Sequence, residues 1–240
     1  MKFRTDIPPK STVIGRYSVL PFYSELEKEL RSQQSSLINT KRQHDFIANM
    51  DWYEQIDKNT PATYKNKGWL NVPSTEYGYV VKGMTNSRKF RWDTHMFAPD
   101  RDSLKCVLNR LHDDAMLSDQ GLVIREYVPL REFEQGINGL PITNEWRFFC
   151  LGDKVLIGGF YWSIAECAPD MTQIPPQAQA LAEWTAEKLH GWSKWTNFFV
   201  VDIAETADGE WIVIEVNDGQ MSGLSMIEAE EFYLTLKSAL

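Results

Sequence analysis

The sequence lacks several features that would settle its class at once. Its three cysteines, Cys106, Cys150 and Cys167, form an odd set with no C-x-x-C spacing, which excludes a disulfide framework and offers no zinc signature. No stretch approaches the ~20 consecutive apolar residues of a membrane-spanning helix, and residues 1–20 mix charges with prolines. A cytoplasmic protein is expected. Positive charge is in deficit, with 25 Lys and Arg against 33 Asp and Glu and a net charge of −8, which argues against duplex nucleic acid or an anionic membrane as an obligatory partner. Repeats and low-complexity tracts are absent. The four histidines, His44, His95, His112 and His190, are scattered, each reads as a surface or core residue, and no Ser-His-Asp or Cys-His arrangement emerges.

What is present is enough to fold. At 240 residues, 43% hydrophobic and 24% charged, the chain supports one globular domain or two small lobes. The polar run 57–71 is the nearest thing to a linker and marks a soft boundary. Before it, 25–31 and 41–56 read as helices, with Phe46, Ile47, Met50 and Tyr53 along one side of the second. After it come a strand at 78–83, a basic segment with Ser87, Arg88, Lys89 and Arg91, and a helix capped within 100–103. That helix carries Leu104, Val107, Leu108, Leu111 and Ala115 as an apolar stripe. A strand at 121–128 stops at Pro129, and 145–162 reads as a hairpin turning at Gly152-Asp153. A helix follows from Pro175-Pro176 to Gly191, then a second hairpin, 198–204 with 210–217, closed by Asp208-Gly209. A last helix starts near Leu224.

The second hairpin carries the strongest chemical signal. With Asp208-Gly209 as a two-residue turn, Asp202 faces Glu215, and alternation puts Asp202, Glu215 and Asn217 on one face together with Trp211 and Val213. Ile203, Ile212, Ile214 and Val216 then point the other way. Opposed carboxylates repel, so something positive is expected between them. An oxygen-only donor set suits a hard cation, and Mg²⁺ is commonly held by one or two carboxylates and the phosphates of a nucleotide. Acids on the solvated face of an ordinary hairpin would give the same pattern.

Lys82 lies among the apolar Tyr79, Val80 and Val81, either snorkelling at a sheet edge or pointing into a site. The basic segment after it is placed to close over a polyphosphate, although solvated loops share that composition. In the first hairpin the two-residue turn sets Arg147 opposite Gly158, where the missing side chain leaves room for a ligand, with Glu145 on the same face; a plain Glu-Arg neighbour pair fits equally well.

Taken in order, Lys82, Val-Ile-Arg-Glu-Tyr-Val128, Glu-Trp-Arg-Phe-Phe-Cys-Leu-Gly-Asp-Lys-Val155, Val-Val-Asp-Ile203 and Val-Ile-Glu-Val-Asn217 resemble the nucleotide-binding series of the ATP-grasp superfamily. The resemblance covers about 72–225 and is nearest to the clade named for an arginine-to-lysine replacement, the R2K type. It implies an α+β fold in which two lobes with antiparallel sheets clasp ATP: a reduced N-terminal segment at 1–71, a small lobe at 72–120 and a large lobe with the metal site at 121–240. It implies Lys82 on the phosphates, Arg125, Glu126, Tyr127 and Val128 as the adenine hinge through backbone groups and Glu126, Glu145 beside the nucleotide, Arg147 on phosphate, and Asp202, Glu215 and Asn217 as Mg²⁺ ligands. Many relatives place an arginine where this chain has Gly159-Phe-Tyr-Trp162, and a lysine or arginine of the 88–91 loop, with Lys89 taken as the catalytic residue, is the candidate replacement for that charge. The implied activity is an ATP- and Mg²⁺-dependent ligase joining a carboxylate to an amine through an acyl phosphate, with a peptide or protein among the candidate substrates. The alternative is an ATP-binding assembly factor that holds a protein partner without turnover.

Overall fold

The computed structural model describes residues 7–16, 22–65, 69–115, 117, 121–166, 171, 173–191 and 194–240. In chain order, β1 (Thr12–Val13), α1 (Tyr23–Ser32) and β2 (Ser36–Leu37) open the N-terminal segment, where β1 and β2 pair in parallel. Next are α2 (Lys41–Ala48) and α3 (Tyr53–Ile56). Thr40 and Gln43 form a reciprocal capping box that fixes the start of α2. The single helix expected over 41–56 breaks between these two, where Met50 takes a positive φ of 55°. Then follow β3 (Thr63–Lys65), β4 (Tyr79–Gly83), β5 (Phe97–Ala98), α4 (Arg101–His112) and β6 (Leu122–Glu126).

Strands β3, β6, β4 and β5 make one four-stranded antiparallel sheet in that order. Asp100 caps α4 by accepting from the Ser103 amide, and Leu104, Val107 and Leu111 pack with Tyr79, Val81 and Ile124. Alternation therefore turns Val80 and Lys82 to the opposite face. Both expected lobe boundaries shift. The run 57–71 holds a strand of this sheet, and β6, assigned to the large lobe from sequence, pairs along β4 instead. A strand joins whichever partner completes its ladder, which sequence order alone does not reveal.

The second sheet is built from β9 (Glu145–Leu151), β10 (Lys154–Phe160), β11 (Phe198–Glu205) and β12 (Trp211–Asp218), after the small pair β7 (Glu132–Gln135) and β8 (Pro141–Thr143). Its order is β10-β9-β11-β12, antiparallel throughout. Helix α5 (Pro176–His190) covers one face through Ala178, Ala182, Ala186 and Leu189, against Phe148, Phe199, Val201 and Ile203. It starts on Pro176 and ends at Gly191, φ 47°, as its sequence signals require. The last helix, α6 (Ala229–Ala239), begins five residues later than expected and sets Phe232 and Leu236 against Phe149, Phe198 and Val200 on the other face.

Both hairpins of this sheet carry a bulge that sequence reading missed. In the second, the loop has three residues: the Thr206 amide donates to the Glu210 carbonyl around Ala207-Asp208-Gly209, with Gly209 at φ 92°. The register slips by one at the turn and is restored by a bulge at Ile214, so Ile203 pairs with Val213 but Asp202 still pairs with Glu215. The carboxylates face each other as expected. Their neighbours do not: Val213 packs in the core with Ile203 and Val216, whereas Ile214 joins Glu215 at a cavity wall.

In the first hairpin a bulge at Leu156 sets Arg147 opposite Gly159, and Gly158 opposite Phe148. The expected ligand space beside Gly158 is therefore filled, since a Cβ there would meet the Phe148 ring at 2.6 and 2.8 Å. Gly158→Ala is expected to lower stability by about 1–3 kcal/mol through overpacking, read from the midpoint of urea denaturation; an unchanged midpoint would show that the Phe148 ring yields freely.

Candidate active site

The two sheets face one another across a cleft with two adjoining cavities. The first, about 130 Å³, is mostly apolar, with Val80, Trp92, Met96, Tyr127, Val128 and Ile214 among its walls. The second, about 370 Å³, takes residues from α2, from 84–87 and from 217–223. Lys82, Ser87, Lys89 and Glu215 line both and mark where they meet. The sequence-derived candidates gather here: Lys82, Lys89, Arg125, Glu126, Tyr127, Val128, Glu145 and Glu215 line the first cavity, and Arg147 and Asn217 the second. Asp202 lies beneath Arg147, 1% exposed.

Each cation is positioned by a specific partner. Arg147 grips Asp202 in two parallel bonds, Nε to Oδ1 at 2.8 Å and Nη2 to Oδ2 at 2.7 Å, and its Nη1 donates to the Gly223 carbonyl at 2.9 Å. The pair follows from register, because Asp202 of β11 lies opposite Arg147 of β9. Lys82 pairs with Glu215, bridging the small sheet to the large one. Lys89 donates to the Tyr161 hydroxyl, and its Nζ sits 4.3 Å from the Tyr161 ring centroid, while Arg147 covers the same ring at 4.6 Å. Tyr161 was missed from sequence; it stands among the residues where an arginine was expected and gathers two cations instead. Arg88, in contrast, turns away to Asp114.

Arg125 is buried and makes its bonds to neutral acceptors: Thr63 Oγ1 at 3.0 Å, Thr60 Oγ1 at 2.7 Å and the carbonyl of the bulged Ile214. Thr60 in turn donates to the Val213 carbonyl at 2.7 Å. The Arg125 side chain therefore clamps the small sheet to the bulge. Burial lowers its pKa to about 10. Burial, with Arg125 and Lys89 alongside, pushes Lys82 down to about 7. Burial also works against the Lys89 ammonium, but Tyr161 and Glu145 outweigh it and raise its pKa.

A divalent cation was expected on Asp202, Glu215 and Asn217. Among the described residues no group of three or more His, Cys, Asp or Glu side chains could hold a metal. Both Asp202 oxygens accept from Arg147, and one Glu215 oxygen from Lys82, while Glu215 and Asn217, two residues apart on β12, both line the second cavity. Such an oxygen pair suits Mg²⁺ when phosphate oxygens and water complete the shell.

Glu145 is buried in the same cluster, and burial, reinforced by Asp202 and opposed by Lys89 and Arg147, raises its carboxyl to about 7. A carboxyl with a raised folded-state pKa binds more protons folded than unfolded between its ordinary value and about 7, so its contribution to stability falls as pH rises through that window. Glu145→Gln should therefore raise Tm at pH 8 while leaving it nearly unchanged at pH 4.5. An equal shift at both pH values would place the effect in packing rather than in ionisation.

Comparison with known proteins agrees with this architecture. The family model described as ATP-grasp domain, R2K clade family 3 matches residues 67–236. A search of curated proteins returned no match. Among solved structures, a RimK domain protein ATP-grasp from Sphaerobacter thermophilus aligns at 17% identity and a TM-score of 0.52, over 86% of this chain and 72% of that one. The ATP-grasp ligase PsnB complexed with minimal precursor, Mg and ADP aligns at 12% identity and a TM-score of 0.53, over 90% of this chain and 66% of that one. An L-amino acid ligase from Bacillus licheniformis aligns at 17% identity and a TM-score of 0.50, over 83% of this chain but 46% of the neighbour. Identities this low establish a shared fold. With the family model spanning most of the chain, the two-sheet cleft is that of an ATP-grasp domain, and this chain belongs to family 3 of the R2K clade.

Proposed function

We propose that the protein is an ATP- and Mg²⁺-dependent ligase, acting in the cytoplasm, that joins a carboxylate to an amine through an acyl phosphate. The observation that carries this reading is the Lys82–Glu215 pair at the junction of the two cavities, where a cation from one sheet meets an acid from the other. In an ATP-grasp cleft, polyphosphate suits the lysine and Mg²⁺ the acid.

The apolar first cavity suits a purine. The Glu126 and Tyr127 amides donate to Ala62 and Gly78 carbonyls, so the Glu126 side chain and Val128 carry base recognition. Lys82 would hold phosphate oxygens, and Glu215 and Asn217 would hold Mg²⁺, which when bound would supply charge neutralisation for the transferring phosphoryl group. Arg147, aimed by Asp202, and Lys89, aimed by Tyr161, take charge that develops as the substrate carboxylate displaces ADP from the γ-phosphorus. The activated carbonyl is then open to an amine, with inorganic phosphate as leaving group. The chemistry needs no nucleophile from the protein. The ligases among the solved structures of the same fold, including PsnB complexed with a precursor peptide, support a peptide or amino acid as substrate class.

The test is release of ADP and phosphate with pooled amino acids and peptides. Turnover that requires an acceptor is expected, and Glu215→Gln or Asp202→Asn should lower it by more than about 10-fold. Tight ATP binding with no turnover under any acceptor would favour an assembly factor that uses nucleotide to hold a partner.

A further inference from the structure

The large sheet has two edges, and they differ. On β12 the Val213 carbonyl accepts from Thr60 and the Ile214 carbonyl from Arg125, so the small sheet engages that edge. The opposite edge is β10, and among the described residues no strand pairs with its outer side. At its end the Met226 amide donates to the Phe160 carbonyl at 3.1 Å. Backbone groups two residues apart on a strand point the same way, so the Gly158 N–H and C=O also face outward. No hydrogen bond from outside the sheet reaches them among the described residues. A seven-residue edge in this state is a template for another strand.

Beside this edge lies a third cavity, about 770 Å³. Its walls come from the two faces of the sheet. On the α5 side Val155, Trp162, Ala165 and Ile174 make it apolar, and Ile174 Cδ1 lies 3.1 Å from where a Gly158 Cβ would be. On the α6 side Ile227 Cγ1 stands 2.7 Å from the corresponding Gly159 position, and Glu228 and Glu231, at the start of α6, add two exposed acids. Neither acid pairs with a cation among the described residues. The stretches 155–187 and 218–236, which frame the groove, contain no Lys, Arg or His. Two successive glycines bare the backbone where the walls converge.

We propose that β10 is the docking edge for a cationic peptide substrate, which adds to it as an extended strand with apolar side chains toward the α5 wall and Lys or Arg side chains toward Glu228 and Glu231. Main-chain bonds to Gly158 supply affinity in such an addition, and alternate side chains supply selectivity. The groove leads to the chemistry: Trp162 lines both this cavity and the first, while Tyr161 lines the second and binds Lys89. A peptide seated on β10 sends its next residues toward Lys89 and Arg147, the cations that suit its carboxylate. A second copy of this chain fits the edge less well, since it would set Glu228 and Glu231 near their own counterparts. That the docked peptide is the acyl donor rests on the ligase reading above; that it docks does not.

The test uses the full chain and a fluorescein-labelled heptapeptide that alternates Val and Lys. Two comparison peptides carry Glu in place of Lys, or a methyl on every backbone nitrogen, which removes the donors that strand addition needs. The Val-Lys peptide is expected to bind about tenfold more tightly than either comparison and to slow hydrogen exchange at the Gly158 amide. Glu228→Lys with Glu231→Lys is expected to keep Tm and reverse the preference between Lys and Glu peptides. No binding, equal binding of the Lys and Glu peptides, undiminished binding of the methylated peptide, or an unprotected Gly158 amide would each overturn the docking edge. The methylated peptide needs no variant, so the result holds whatever α6 tolerates. A dimer in sedimentation that protects Gly158 without peptide would assign the edge to a second copy and overturn the proposal as well. Extending the Val-Lys peptide by a C-terminal Glu then probes turnover: ADP release with an amine acceptor is expected, with KM raised about tenfold and kcat kept in the charge-reversed variant. Docking as described with no ADP release under any amine would support the edge and be a failure of the ligase reading.

Discussion

Arg147 and Asp202 hold each other across the middle of the large sheet, and the rest of the cleft is arranged around that pair. Asp202 is 1% exposed in a central strand, where an unpaired carboxylate would be strongly destabilising. The bidentate guanidinium satisfies it and spends two of its five donors; a third goes to the Gly223 carbonyl. The arginine is thereby fixed in place before any ligand arrives, in the sense that matters for electrostatic catalysis: its charge needs no reorganisation at the moment of phosphoryl transfer.

Lys82 and Glu215 play the complementary part. They are joined to each other from opposite sheets, so their pairing ties the lobes together and compensates a buried lysine and a part-exposed acid. In the proposed function a nucleotide and its metal would offer each of them a better partner. On that proposal, exchange of one ion pair for two new ones would let the cleft accept a highly charged ligand while both charges stay compensated. Arg125, bonded to threonine hydroxyls and to the bulge carbonyl, ties β6 to β12 independently of that pair.

Much of this was legible in the sequence, for reasons that differ by element. The stripes Leu104, Val107, Leu111 and Ala178, Ala182, Leu189 gave their helices directly, since the 3.6-residue period and the caps at Asp100, Pro176 and Gly191 are local signals. The opposition of Asp202 and Glu215 was reached through two compensating slips, because the three-residue loop moves the register one way and the bulge at Ile214 moves it back. The same reasoning failed in the first hairpin, where the bulge at Leu156 has no such counterweight and Arg147 meets Gly159. Bulges answer to what the two sheet faces must pack against, and that is decided far along the chain. His44, read as a surface or core residue, is buried against Tyr23 and Asp218. The capping box at Thr40 puts His44, Ile47 and Ala48 on one face of α2, but what that face meets depends on residues 218–223.

The most direct measurement is a crystal structure with Mg²⁺ and a non-hydrolysable ATP analogue. The account predicts Lys82 Nζ released from Glu215 and bonded to phosphate oxygens, the ion held by Glu215 and Asn217, and the Arg147–Asp202 pair intact. A nucleotide bound with the Lys82–Glu215 pair unbroken, or an ion seated away from β12, would contradict it.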